Sequence, residues 1–261
     1  MAEPITLTAV KNTWFKKQPV PADTLPNDQK AKVYMTRVYR NCTVLDKKDN
    51  HTKINIGSLG DWWVFDEHWT GFTPAILPYA VDGDLRYLRN FPYFWQQDNG
   101  SEGWRQCQTS SIAMCLKYLK VKGINDDKDY LKYVNKHGDT TTRNAQFGAL
   151  ADLGVKARFS EKVDAQDIKD EIDAGRPVAA GILHHGTVDS PTGGGHFIVI
   201  TGYSNSYWLV QDPFGELDLV NGVWENQSPI AGKNKHYSFA NLNPRLFVGG
   251  GANGWAWTFN G

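Results

Sequence analysis

The chain has 261 residues, 41% of them hydrophobic, and its 28 basic residues are balanced by 28 acidic ones. That length allows two modest domains or one large one with an ordinary globular interior. The balance of charge removes the electrostatic reason for nucleic acid to bind, because a phosphate backbone rewards a clustered basic face, and no run is apolar and long enough for a membrane span.

Residues 1–70 carry short β-prone runs at 5–10, 32–39, 42–45, 53–56 and 62–65, separated by polar turns. The first residues, from Met1 to Thr6, have neither the basic nor the apolar segment of a secretion signal, which predicts synthesis in a cytoplasm. Lys47-Lys48-Asp49-Asn50 is a hairpin signal, and the whole predicts a small all-β barrel. Trp14, Trp62, Trp63 and Trp69 either fill its core or offer faces to a ligand, with Trp62 and Trp63 taken as substrate-binding candidates. Residues 71–91, with Gly71, Pro74, Pro78 and Gly83, lack periodicity and read as a linker; 92–261 form the second domain.

That second domain opens on Phe94-Trp95-Gln96-Gln97-Asp98-Asn99 and then on Gln106-Cys107-Gln108-Thr109-Ser110. Ile112, Cys115, Leu116 and Leu119 recur at helical spacing, so the run predicts a helix with Cys107 at its mouth and Thr109 or Ser110 as its cap. There the helix dipole and free N–H groups favour a thiolate. Cys42, Cys107 and Cys115 are odd in number and widely spaced, which argues against a disulfide framework and fits a reduced compartment with one reactive thiol.

Helices are predicted at 127–137 and 143–153, a strand at 155–159, a helix at 164–174, strands at 177–183, 196–203 and 208–211, and a closing strand in the tail around Trp255, Trp257 and Phe259. The stretch 186–195, with Pro191 and Gly193-Gly194-Gly195, reads as a mobile flap. It ends at His196, which opens an apolar strand; a tight turn at Ser204-Asn205 then sends the chain back to Asp212-Pro213. The two strands bring His196 and Asp212 side by side. A thiol nucleophile needs a base, and the base needs a third group to fix its tautomer, so the order Cys, His, Asp supplies a candidate set. Alone, each has a plainer reading: Gln96 as a surface amide, His196 as a core imidazole, Asp212 as the acceptor of a turn. His184, His185, Asp189 and His196 are zinc-ligand types, but their spacing matches no closed zinc pattern, so no metal and no cofactor is expected.

The Gln96-x-Asp98-Asn99 stretch, Cys107 with Thr109-Ser110-x-Ala-Met-x-Leu-x-Tyr-Leu, His184-His185-Gly186, Gly-Gly-Gly-His196 and Asp212-Pro213 together resemble the papain-like cysteine peptidases, in particular the C39-type branch of double-glycine leader peptidases that process bacteriocins. Many members of that branch follow the cysteine with Gly-Pro where this chain has Gln108-Thr109. The resemblance implies an α+β papain-like domain, with Cys107 as nucleophile, His196 as base and acid, Asp212 as orienting carboxylate and Gln96 as oxyanion donor. His184, His185, Gly194 and Gly195 would line the substrate cleft. Residues 13–30 are similar to the SH3-like modules of phage and bacterial cell-wall lysins. Together these resemblances imply a peptidoglycan peptidase or amidase, either an endolysin released after a lysis pore opens or a lysin carried on a virion and touching phage tail proteins. The alternatives are a peptidase that trims a protein precursor and an inactive virion protein that only binds.

Overall fold

The computed structural model describes residues 4–72 and 79–260. Contacts divide the chain into two compact units, Met1–Leu77 and Pro78–Gly261. Pro74 and Pro78 of the expected linker lie outside the described residues.

The first unit holds strands β1 (Ile5–Ala9), β2 (Thr13–Lys16), β3 (Lys30–Val33), β4 (Val38–Lys48), β5 (His51–Asn55), β6 (Asp61–Phe65) and β7 (Trp69–Thr70). They pair in the order β3-β2-β6-β5-β4-β1-β7, an open path whose end strands do not meet, so the closed barrel expected from the sequence is not formed. The expected run at 32–39 is broken because Thr36 turns at a φ of 72°, leaving β3 short. The β4–β5 hairpin forms where its signal lies, with Asp49 and Asn50 both at positive φ, as a tight antiparallel turn requires. Ile5, Leu7, Phe15, Ile54, Val64 and Trp69 build the interior. Trp63 is only 9% exposed, which corrects its reading as a ligand-binding face; the half-buried Trp62 carries the Lys17 ammonium 3.6 Å from its ring centre.

The second unit begins with a hairpin, β8 (Ala80–Asp82) and β9 (Leu85–Tyr87), where the sequence suggested only a linker. It continues through α1 (Cys107–Tyr118), α2 (Asp127–His137), α3 (Arg143–Asp152), β10 (Lys156–Val163), α4 (Ala165–Asp173), β11 (Val178–Ile182), β12 (His196–Tyr203) and β13 (Tyr207–Gln211). It closes with β14 (Glu216–Asp218), β15 (Val223–Asn226), β16 (Lys235–Ser238), α5 (Phe239–Leu246) and β17 (Gly254–Asn260). The main sheet runs β10-β17-β11-β12-β13-β16, with β9 pairing the end of β12 and β8 beyond it; β14 and β15 pair with each other.

Alternation along the central strands gives this sheet two apolar faces. On one, Ala179, Val199, Trp257 and Phe259 meet Ile112, Cys115 and Leu116 of α1. On the other, Val178, Ile182, Ile198, Ile200 and Trp208 meet Ile168 of α4 and Leu242 of α5. The mixed helix-and-sheet layout expected for this part of the chain is therefore present. No helix among the described residues is long and apolar enough to cross a membrane.

Candidate active site

Cys107 opens α1, but the helix has no side-chain cap. Ser110 Oγ donates instead to the buried Asp127 carboxylate of α2, and Thr109 Oγ1 accepts from Gln146 Nε2 of α3 at 3.1 Å. Both hydroxyls expected as caps are thus drawn into packing between helices. Asn99 Nδ2 donates to the same Asp127 oxygen at 2.8 Å, which staples the Gln-x-Asp-Asn stretch to α1 and α2. Ser111 Oγ donates to the Phe197 carbonyl at 3.0 Å and fixes the mouth of α1 against the start of β12.

His196 is that start, pairing with Ile182 of β11. The β12–β13 register sets Gln211 against Val199, so Asp212 follows directly beside the histidine. His196 Nε2 and Asp212 Oδ1 are 2.7 Å apart, with 3% and 0% of the two residues exposed. Asp212 Oδ1 also accepts from the Phe214 N–H at 3.1 Å, while its Oδ2 is buried without a partner among the described residues. The backbone around it is pinned: its N–H donates to the Gly232 carbonyl at 2.8 Å, its carbonyl accepts from Tyr93 Oη at 2.9 Å, and the Pro213 carbonyl accepts from the Gln96 N–H at 3.0 Å. Trp224 of β15 stands edge-to-face on the imidazole, ring centres 5.1 Å apart, and covers the His–Asp pair.

With Nε2 engaged by Asp212, Nδ1 is the ring nitrogen left for the thiol. Burial alone pushes the Cys107 thiol up. The hydrogen bond from His196, the imidazolium charge, and the N–H groups of Phe197 and Gln108 outweigh burial and hold it below its ordinary value. Burial likewise pulls His196 down, but the Asp212 charge and hydrogen bond, helped by the thiolate, raise it to about 10. The arrangement therefore favours a thiolate beside an imidazolium at neutral pH.

Cys107 and His196 line one cleft of about 670 Å³, and His184, His185, Gly194 and Gly195 line it with them. Trp104, Phe214, Trp224 and Trp255 add aromatic walls that the sequence reading did not assign to the cleft. The His184 ring centre lies 3.9 Å from His185 and 5.7 Å from His196; burial first, then the neighbouring imidazoles and Arg245, lower it to about 4, so it is a neutral ring. The stretch read as a flap is tied down, with His185 and Thr192 exchanging backbone hydrogen bonds and the Val188 N–H donating to the Val220 carbonyl. Among the described residues no cluster of histidine, cysteine and carboxylate side chains forms a metal site.

Gln96 is fully buried and does not line the cleft. Its Nε2 donates to the Gly103 carbonyl at 2.7 Å, which leaves one amide hydrogen unengaged and fixes the turn leading to Cys107. Arg245 of α5 was also not anticipated. Its guanidinium, in a residue with no exposed surface, donates to the carbonyls of Leu183, His185, Gly186 and Leu219 at 2.7–3.0 Å and so clamps the chain on both sides of His184.

Residues 88–231 match the Peptidase_C39 like family. Among solved structures, a protein assigned as a C39-like peptidase from Bacillus anthracis is 19% identical, with a TM-score of 0.42 over 67% of this chain and 96% of that one. No curated protein matches the chain.

Proposed function

The chain belongs to the Peptidase_C39 like family, and from that premise we propose that it hydrolyses amide bonds with Cys107 as nucleophile, His196 as acid and base, and Asp212 as the group that orients His196. The observation that carries this reading is a thiol and an imidazole lining one open cleft, with the imidazole Nε2 2.7 Å from a fully buried carboxylate. The thiolate attacks the substrate carbonyl carbon and the tetrahedral oxyanion forms beside the Cys107 N–H. His196 then gives its proton to the leaving amine, a thioester remains on Cys107, and His196 takes a proton from the water that releases the acid.

The substrate of this reading is the peptide part of peptidoglycan. A cleft walled by Trp104, Phe214, Trp224 and Trp255 offers flat apolar surface on which a peptide bonded to sugar rings can lie. The enzyme would meet it after release from a host cell or as part of a virion. Digestion of purified cell wall with the wild type and with Cys107→Ala, followed by mass spectrometry of soluble fragments, tests both parts. Peptide fragments released only by the wild type are expected. Equal release by the variant would refute the chemistry. Cleavage of protein precursors with an untouched wall would refute the substrate.

A further inference from the structure

We propose that a second cavity beside the cleft is a sugar-binding subsite that holds an N-acetylated sugar ring of the glycan while its attached peptide lies over Cys107. This rests on the wall-peptide reading and gives it a specificity device. The second cavity, of about 510 Å³, touches neither Cys107 nor His196, but it shares Gln108, Thr141, Phe197 and Trp255 with the cleft, so one runs into the other.

Two features show a site built for a ligand. Trp255 occupies its place only because residue 181 is glycine: a Cβ there would lie 1.7 Å from the indole Nε1 and 2.4 Å from Cδ1. Gln108 is 6% exposed and lines both cavities, and its carboxamide makes no hydrogen bond to another side chain or backbone group among the described residues while still reaching solvent. Its N–H and C=O groups are therefore open to a ligand that displaces water.

The chemistry of the walls selects the visitor. Phe159, Phe197 and Trp255 give flat apolar surface. Arg143 and Glu161 lie 2.5 Å apart and neutralise each other, with the guanidinium 4.1 Å from the Phe159 ring centre. Asn253 engages its Nδ2 with the Gly250 carbonyl and keeps Oδ1 as an acceptor. An apolar side chain entering here would desolvate Gln108, Asn253 and the ion pair without replacing their hydrogen bonds. A charged side chain would find its partner already taken. A pyranose ring carries an apolar CH face for the aromatic wall and hydroxyls for planar polar groups, and its N-acetyl amide matches the carboxamide of Gln108.

Two measurements decide the matter. In the first, a wall peptide still bonded to its N-acetylated disaccharide is compared with the same peptide free of sugar. The wild type is expected to favour the first by about tenfold or more in kcat/KM, mainly through KM, the scale on which one pocket discriminates. Gln108→Ala and Trp255→Ala should each carry that ratio toward one, and a ratio is indifferent to a general loss of activity. In the second, Cys107→Ala is titrated with the disaccharide alone, and the Trp255 indole N–H resonance, assigned with Trp255→Phe, is followed. A saturable shift is expected. No shift at millimolar sugar, or a shift with an aromatic peptide and none with sugar, overturns the subsite whether or not any wall is cut. Failure of wall cleavage in the wild type refutes the wall-peptide reading, while the titration still reports on the subsite.

Discussion

Gly232 has no chemistry of its own, yet it should control the reaction. A Cβ at this position would lie 1.9 Å from the Asp212 carbonyl oxygen and 2.7 Å from that of Gly215, both backbone atoms that no rotamer change can remove. Ordinary contact begins at 3.4 Å, so Gly232→Ala requires the two segments to part by about 1.5 Å (3.4 − 1.9). The Asp212 N–H to Gly232 carbonyl hydrogen bond, now 2.8 Å, lies across that gap. Asp212 cannot retreat without lengthening its 2.7 Å contact with His196 or losing the Tyr93 hydroxyl from its carbonyl. A misplacement of about 1 Å in a catalytic group costs about 10²-fold in rate, so kcat should fall by at least that factor with KM little changed. The assay is steady-state hydrolysis of a wall peptide, with circular dichroism and a thermal melt to show that the variant is folded. Iodoacetamide should also react more slowly with Cys107, because the imidazolium that stabilises its thiolate has lost its carboxylate. A folded Gly232→Ala enzyme with wild-type kcat would refute the claim that the Asp212 corner is rigid and positions the histidine.

Three further outcomes are expected. At pH about 6.5, below the thiol range of about 8.5, iodoacetamide should label Cys107 alone, since burial raises both Cys42 and Cys115; peptide mapping that finds equal labelling of all three would contradict an activated thiol. The rate should have an acid limb below the ordinary thiol range, where the lowered Cys107 takes up its proton, and an alkaline limb near 10, where His196 loses its own. Because burial opposes the charge on His196, Asp212→Asn should move the alkaline limb to lower pH and reduce kcat by about four orders of magnitude. Arg245→Met leaves four carbonyls without their donor and should destabilise the domain by at least about 3 kcal/mol, seen as a lower urea midpoint and altered His184 and His185 imidazole resonances.

What the sequence disclosed were features carried by neighbours in the chain. The thiol at the mouth of a helix, the helix over 127–137 and the return of two strands that sets Asp212 beside His196 are all local patterns, and all are present. Asp164 completes a capping box at α4 just where the helix was expected to begin. Features made by distant partners stayed hidden. Thr109 and Ser110 looked like caps because cap propensity is a local preference; in the fold, Gln146 and Asp127 claim their hydroxyls. Arg245 lies on an eight-residue helix with Pro244 inside it, a residue that argues against a helix, and its four acceptors are backbone atoms without a sequence signature. Trp224 sits on a four-residue strand too short for alternation to show. Gln108 was legible as a departure from the Gly-Pro that the resemblance led one to expect, but its meaning depends on a cavity assembled from five separate segments.

The helix mouth, the strongest signal in the sequence, is not what makes the thiol reactive. Burial is the largest influence on both Cys107 and His196, and it opposes the charged form of each. A helix N-terminus is worth about 0.3–1 kcal/mol to a nearby anion at an exposed site, too little to carry a buried ion pair. The balance is tipped by the Asp212 carboxylate, itself without exposed surface and with its Oδ2 lacking any partner among the described residues. Each charge in the row is tolerable only beside the next, so the thiolate depends on a carboxylate it does not touch. The same dependence explains why the Asp212 corner is braced by Tyr93, Gly232 and Gln96 from three other parts of the chain.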